Sequence, residues 1–115
     1  MQDCIFCRII AGDISADLVY QNENMVVFRD INPVAPVHLL VVPRRHIKDI
    51  LELAAAEDGL DLMGAVLRAL PEIAAKVGVT QGFRLINNCG PDGGQTIPHI
   101  HFHLIGGQKL GEKLL

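Results

Sequence analysis

Three histidines stand at alternate positions near the end of the chain, as His99, His101 and His103, with Ile100 and Phe102 between them. Alternation is the period of a β-strand, so the pattern predicts a strand with all three imidazoles on one face. Neighbours on the same face of a strand lie about 6.5–7 Å apart. Because imidazole titrates near neutral pH, such a row can bind metal, move protons or attack an electrophile. The pattern therefore predicts a functional site on a strand.

Three interpretations of the histidine row are open: a solvated polar face, a metal site, or nucleophilic catalysis. His-x-His on a strand can present two imidazoles to one zinc ion. A neutral imidazole can also attack phosphorus directly. The segment Gly93-Gly94-Gln95-Thr96 directly precedes the row. Glycines allow backbone N–H groups to form an anion-binding concavity, and Gln95 and Thr96 add polar donors. This neighbourhood favours phosphoryl or nucleotidyl transfer.

Composition sets the class of protein. With 115 residues, 50% hydrophobic and 20% charged, the chain is expected to form one globular domain spanning residues 1–115. No apolar run reaches the ~18–20 residues that span a bilayer, and no basic leader is visible, so we expect a cytoplasmic protein without membrane contact. The net charge of −3 argues against binding of nucleic acid. Three cysteines in such a chain indicate thiols or metal ligands more readily than disulfides.

The hydrophobic pattern predicts an α+β fold in which an antiparallel sheet is covered by helices. Asn22 and its neighbours predict a hairpin turn between the first two strands. Pro71 lies inside the longer helical pattern and predicts a kink or break near Leu70. The predicted strands are 18–20, 25–28, 37–42, 83–87 and 99–105, and the predicted helices are 6–11 and about 57–77.

The chain resembles the histidine triad (HIT) family. The signature His-φ-His-φ-His-φ-φ, where φ is apolar, is present at 99–105, and further similar segments lie at 4–7, 28–33, 35–38, 43–47 and 93–96. Gly106-Gly107 after the triad resembles the Hint branch, the nucleoside phosphoramidate hydrolases. The branch that cleaves diadenosine polyphosphates typically has Pro-Arg there. The resemblance implies a HIT-like fold with about five strands, one long helix and a short N-terminal helix.

The resemblance also implies a reaction. His101 would attack the α-phosphorus of a purine nucleoside 5′-phosphoramidate, an AMP or GMP derivative, and form a covalent nucleotidyl-histidine that water then hydrolyses. His103 would orient the phosphate, and Thr96 would assist the leaving group. Two alternatives remain: hydrolysis of dinucleoside polyphosphates, and a nucleotide-binding regulator without enzymatic activity.

The family match supplies the nucleotide contacts. By sequence alone Phe6, Phe28 and Ile31 would be ordinary core residues, and Asp30 would be a turn residue before Pro33. The resemblance implies instead that the nucleoside lies against the apolar three, that Asp30 accepts hydrogen bonds from the ribose hydroxyls, and that His38 lies beside the site. The implied contacts are Phe6, Phe28, Asp30, Ile31, Asn88, Gly94, Gln95, Thr96, His101 and His103. Arg29, Cys89 and the tail after Gly107 have no assigned role.

Cys4 and Cys7 form a C-x-x-C pair, which by itself indicates two buried thiols about as readily as a metal site. Some bacterial HIT proteins close a structural zinc with such a pair and two histidines. The resemblance implies that Cys4, Cys7, His46 and His99 do so here. Four protein ligands leave no open position, so this zinc would be structural and no catalytic metal is expected. The family also implies a homodimer with sheets joined edge to edge.

Overall fold

The computed structural model describes residues 3–115; Met1 and Gln2 lie outside the described residues. The elements follow in the order α1 (Ile5–Ile10), β1 (Leu18–Gln21), β2 (Met25–Arg29), β3 (Val37–Pro43), α2 (Ile50–Ala55), α3 (Gly59–Val77), β4 (Phe83–Ile86), a 3₁₀ turn (Pro91–Gly93) and β5 (Phe102–Gly106). The five strands form one antiparallel sheet in the order β1-β2-β3-β5-β4, which confirms the predicted α+β class. No helix within residues 3–115 is long and apolar enough to cross a membrane.

Strand β3 is central, and all seven of its residues are buried. Its side chains alternate between two apolar clusters. Leu39 and Val41 join the larger cluster with residues of α3, whereas Leu40 and Val42 join a smaller one with Phe6 of α1. Both faces of the strand are thus covered, which accounts for its continuous apolar sequence. One face of the sheet carries the main core, and the other is left to the histidines and α1.

The predicted hairpin between β1 and β2 is confirmed. The Asn22 side-chain Oδ1 accepts the backbone N–H groups of Asn24 at 2.8 Å and Met25 at 3.1 Å. Such bonds are the reason that asparagine favours turns. The turn sets Gln21 opposite Val26 and Tyr20 opposite Val27. Beyond a register shift in β1, Leu18 lies opposite Phe28, which on its other side lies opposite Leu40 of β3.

Of the predicted kink or break near Leu70, the break is wrong, because α3 continues from Gly59 to Val77 through Pro71. Proline removes one N–H that would bond the carbonyl four residues earlier, here that of Leu67. Both residues lie on the exposed side of α3, where water can bond that carbonyl. The helix ends at Gly78, whose φ of 75° is the left-handed conformation that glycine adopts readily.

The helical region is also divided differently from the prediction. A separate helix, α2, precedes α3, and the side chain of Asp49 caps it by accepting the N–H of Glu52 at 2.9 Å. The two helices meet at Gly59, where a Cβ would collide with the Leu53 carbonyl. This close approach requires glycine and sets the start of α3 after the predicted residue 57.

The predicted strand at 99–105 is too long, because β5 begins only at Phe102. Side chains replace the ladder hydrogen bonds before that point. The His99 ring Nε2 donates to the Pro43 carbonyl at 2.8 Å, and the Asn87 amide donates to the His101 carbonyl at 3.0 Å. His99 therefore lies in a bend and His101 in the irregular segment that leads into the strand, and His103 alone of the three lies within β5.

Gly106 and Gly107 have a structural reason to be glycine. A Cβ on Gly106 would lie 3.1 Å from the Val79 side chain, and one on Gly107 would lie 3.1 Å from the Val37 backbone nitrogen. Gly107 also has a φ of 87°. A larger residue at either position would require its neighbours to shift, and at Gly107 it would also strain the backbone.

We expect Ile73→Ala to lower the free energy of unfolding by about 2–5 kcal/mol, since Ile73 is fully buried in the larger cluster under α3. The matched control is Leu67→Ala in the same helix, where 52% of the residue surface is exposed. That variant should change the free energy by about 0.5 kcal/mol or less. Urea unfolding monitored by circular dichroism measures both. Equal losses would contradict the described orientation of α3.

Candidate active site and metal centre

The smaller apolar cluster opens into a cleft of about 840 Å³ between α1, the end of β2, the middle of β3 and the loop before β5. Among the residues predicted to contact a nucleotide, those lining the cleft are Phe6, Phe28, Asp30, Ile31, Asn88, Gly94, Thr96, His101 and His103. Gln95 does not line it. The sequence prediction thus selects residues from five separate segments that the fold brings to one cavity.

Two phenylalanines form the floor of the cleft. Phe6 of α1 and Phe28 of β2 are 3% and 4% exposed, and their rings meet edge to face with centroids 5.8 Å apart. The Phe6 ring also contacts that of His101, at 5.0 Å. Ile31 is 91% exposed at the rim. The two phenylalanine rings therefore belong to the apolar core and also line the cleft, whereas Ile31 lines the cleft only.

The tautomer of His101 follows from its hydrogen bond. Its Nδ1 lies 2.8 Å from the carbonyl oxygen of His99, which only accepts, so Nδ1 carries the proton. Nε2 of the neutral ring then holds a lone pair and has no hydrogen-bond partner among residues 3–115. His101 is 7% exposed and lines the cleft. The arrangement presents an unprotonated ring nitrogen, which is the form a nucleophile requires.

His103 has the opposite tautomer, set by a chain of hydrogen bonds. The Val34 N–H donates to His38 Nδ1 at 3.1 Å, so the proton of neutral His38 is on Nε2. That Nε2–H lies 2.9 Å from His103 Nδ1, which must accept. The proton of His103 is therefore on Nε2. His38, predicted to lie beside the site, contacts it directly and is 6% exposed.

Electrostatics keep His103 neutral. Burial lowers the pKa of His103, and the neighbouring imidazoles of His101 and His38 lower it further, while the carboxylate of Asp30 opposes them. A neutral ring has one acceptor and one donor nitrogen, so His103 can accept from His38 at Nδ1 and donate into the cleft from Nε2.

The loop before β5 is closed on itself. The N–H groups of Gly93 and Gln95 donate to the Gly90 carbonyl, and that of Gly94 donates to Pro91. These amides are therefore already paired, and the expected glycine concavity is not formed by them. The polar side chains that reach the cleft from this side are those of Asn88 and Thr96.

Gln95 holds this loop in place. Its Oε1 accepts the N–H of Gly90 at 2.9 Å, and its Nε2 donates to the carbonyls of Lys48 at 2.7 Å and Ile97 at 3.0 Å. Both amide protons are thus used within the protein. The side chain predicted to donate to a ligand instead ties the loop to the segment after β3.

The four predicted metal ligands converge beside the cleft. The ligand atoms of Cys4, Cys7, His46 and His99 all lie within 4.8 Å of one another. His99 Nδ1 is 3.4 Å from Cys4 Sγ and 3.5 Å from Cys7 Sγ, and His46 Nδ1 is 3.2 Å from Cys7 Sγ. Tetrahedral zinc with Zn–S and Zn–N bonds of about 2.3 and 2.0 Å sets sulfur and nitrogen about 3.5 Å apart. The residues fit that ion in type, number and spacing.

Hydrogen bonding orients His99 as a metal ligand. Its Nε2 donates to the Pro43 carbonyl, so the lone pair is on Nδ1, toward the two sulfur atoms. The ring is fully buried, and burial lowers its pKa, which favours the neutral form that binds metal. Burial raises the pKa of the Cys7 thiol, and a bound cation would oppose that effect.

Some residues near the site carried no sequence signal. Asn87 holds the His101 carbonyl, although only Asn88 was expected to act. Arg29, unassigned in the sequence, pairs with Asp17 at 3.5 Å. Cys89 is a partly buried free thiol. A pair of adjacent asparagines before a glycine loop does not reveal which side chain faces the backbone of the next strand.

Known proteins share this architecture. A sequence model described as the HIT domain matches residues 11–110. A HIT-like protein of Synechococcus elongatus is 45% identical over 109 residues, covering 95% of this chain and 94% of that protein. A solved histidine triad protein from Clostridium difficile superimposes with a TM-score of 0.92 at 40% identity, covering 99% and 98% of the two chains.

A solved HIT family hydrolase from Legionella pneumophila superimposes with a TM-score of 0.88 at 38% identity, covering 96% of this chain and 97% of that one. The likeness thus extends over nearly the whole length in sequence and in structure. The predicted HIT-like fold is confirmed, and the chain belongs to the HIT domain family.

Proposed function

We propose that this chain is a hydrolase of purine nucleoside 5′-phosphoramidates that acts through a covalent nucleotidyl-histidine on His101. The observation that carries the proposal is the opposed protonation of two histidines in one cleft. His101 offers a bare Nε2, and His103 offers an Nε2–H. Attack on phosphorus needs a nucleophile and, next to it, a donor for the charged phosphate oxygens. The name of the Legionella relative, a HIT family hydrolase, supports this reaction class.

The sheet register supports the placement of a nucleotide. His103, Leu40 and Phe28 lie opposite one another on β5, β3 and β2. Adjacent strands are about 4.8 Å apart, so His103 and Phe28 are separated by about 10 Å across the sheet. A phosphate at His103 would thus extend its nucleoside toward the Phe28 ring. Asp30 follows Phe28 by two residues and lies beside His38, at the wall of the cleft, where it would accept the ribose hydroxyls.

The reaction would proceed in two displacements. In the first, His101 Nε2 forms a bond to the α-phosphorus while the P–N bond to the amine breaks, and the Thr96 hydroxyl donates the proton that the departing nitrogen takes up. In the second, water attacks the same phosphorus, the bond to Nε2 breaks, and the nucleoside monophosphate is released. The proton that the attacking water loses restores the Thr96 hydroxyl. His103 Nε2–H would bond a phosphate oxygen in both steps. Gly106 and Gly107 match the phosphoramidate hydrolase branch, although close packing also requires them.

We also propose that Cys4, Cys7, His46 and His99 bind a structural zinc ion. Bound there, zinc would cross-link α1 to the segments after β3 and before β5. Phe6 lies between Cys4 and Cys7 in the sequence, and its ring contacts that of His101. Four protein ligands would fill the tetrahedral coordination of zinc, so no position would remain for substrate.

We expect His101→Ala to reduce kcat for adenosine 5′-phosphoramidate by at least about 10³-fold, since the covalent route is lost. Liquid chromatography of released AMP measures the rate. Mass spectrometry of quenched wild-type protein should show a nucleotidyl adduct that His101→Ala lacks. The control is Cys89→Ser, which alters a thiol without an assigned role. Full activity in His101→Ala would refute the nucleophile, and binding of AMP without turnover in the wild type would favour the regulator.

Protein purified without added metal should contain about one equivalent of zinc by elemental analysis. Cys7→Ser should lose most of that zinc and unfold at a lower temperature, because a ligand is removed from a closed site. Cys89→Ser is the matched control and should keep both zinc and stability. Wild-type protein that contains no zinc as purified, or that melts at the same temperature with and without zinc, would refute the zinc proposal.

We expect a homodimer in which sheets join edge to edge. The free edges of the described sheet are the four-residue strands β1 and β4. Exposed edges tend to pair with another chain. Sedimentation velocity should give twice the chain mass of 12.5 kDa. A monomer at micromolar concentration would contradict the expectation.

A further inference from the structure

We propose that His38 couples recognition of the ribose at Asp30 to the orientation of the phosphate by His103. The inference rests on the proposed function, because it assigns the sugar and the phosphate to this cleft. His38 would be a positioning residue: it touches His103 and Asp30, and it acts on substrate only through them.

The first observation is that His38 has one proton and two acceptors for it. Its Nδ1 accepts the N–H of Val34, so the proton of the neutral ring lies on Nε2. That nitrogen lies 2.9 Å from His103 Nδ1 and 3.4 Å from Asp30 Oδ2. The first distance is that of a normal hydrogen bond, and the second is longer than one. His103 is therefore the favoured acceptor, and the Asp30 carboxylate competes with it.

The second observation is that Asp30 is held in place with one oxygen available. Its Oδ1 accepts the N–H of Asn32 at 2.8 Å. Its Oδ2 is the oxygen next to His38, and the side chain is 18% exposed at the wall of the cleft. A hydroxyl in the cleft can donate to Oδ2, whose charge is then shared with that donor. The attraction of Oδ2 for the His38 proton becomes weaker.

The consequence concerns the protonation of His103. When a ribose hydroxyl occupies Oδ2, the His38 Nε2–H donates to His103 Nδ1 alone, which keeps the His103 proton on Nε2. Without that hydroxyl, Asp30 competes with His103 for the His38 proton, and a fraction of His103 can adopt the tautomer with a bare Nε2. A bare nitrogen repels phosphate oxygens instead of bonding them. The ribose hydroxyls should thus raise kcat as well as lower KM.

Steady-state kinetics with two substrates test the coupling. We expect wild-type kcat for adenosine 5′-phosphoramidate to exceed that for its 2′,3′-dideoxy analogue by about two- to tenfold, the worth of one hydrogen bond. In His38→Leu, which has no donor, the two kcat values should be low and equal, while KM still favours the ribose. His38→Gln keeps an N–H donor and should restore part of the kcat difference.

Two kinetic results would overturn the coupling. One is a wild-type enzyme in which the hydroxyls change KM alone. The other is a His38→Leu variant that keeps the wild-type ratio of kcat values.

A second measurement needs neither a variant nor turnover. In wild-type protein labelled with nitrogen-15, the imidazole shifts of His103 report which ring nitrogen carries the proton. We expect a larger Nε2–H fraction with AMP bound than with 2′,3′-dideoxy-AMP. Equal fractions, or no binding of AMP, would refute the coupling even in an active enzyme. The expected difference in a protein that does not cleave phosphoramidates would refute the proposed reaction and leave the coupling intact.

Discussion

The geometry of the whole site depends on how His99 is held. Its ring Nε2 donates to the Pro43 carbonyl, its Nδ1 faces Cys4 and Cys7, and its own carbonyl accepts the proton of His101. The residue is fully buried, so these bonds form where water does not compete. One residue therefore connects the end of β3, the candidate metal centre and the candidate nucleophile. Because the His99 carbonyl holds the His101 ring, a shift of His99 would reorient His101, although His99 itself does not line the cleft.

The second constraint is that hydrogen bonds set different tautomers on the neutral rings of His101 and His103. A carbonyl directs the His101 proton inward, whereas the His38 N–H directs the His103 proton toward the cleft. Burial and the neighbouring rings lower the pKa of His103, since a second positive charge in this cluster would be unfavourable. The cluster thus favours the neutral form of His103, and the hydrogen bonds distinguish its exposed nitrogen from that of His101.

Local signals in the sequence predicted those parts of the fold that local interactions determine. The Asn22 turn and the glycine stop at Gly78 rest on contacts within a few residues. Strand β3 was predicted because its apolar run is continuous, although its burial comes from distant elements on both faces. The break at Pro71 did not occur, because packing of the opposite side of α3 on the sheet outweighs one missing hydrogen bond on the exposed side. The start of β5 could not be predicted either, since the segment before it is held by bonds to two distant groups, the Pro43 carbonyl and the Asn87 side chain.

The family signature predicted which residues gather at the site, because residue type and order are written in the sequence. It could not predict which ring nitrogen carries the proton, because carbonyls and amides of other segments decide that. Gln95 illustrates the difference: its type suits a ligand contact, yet loop carbonyls use both of its amide protons. Substitutions that move the Pro43 carbonyl or the Val34 N–H would therefore alter the chemistry of the histidines while every histidine remains in the sequence.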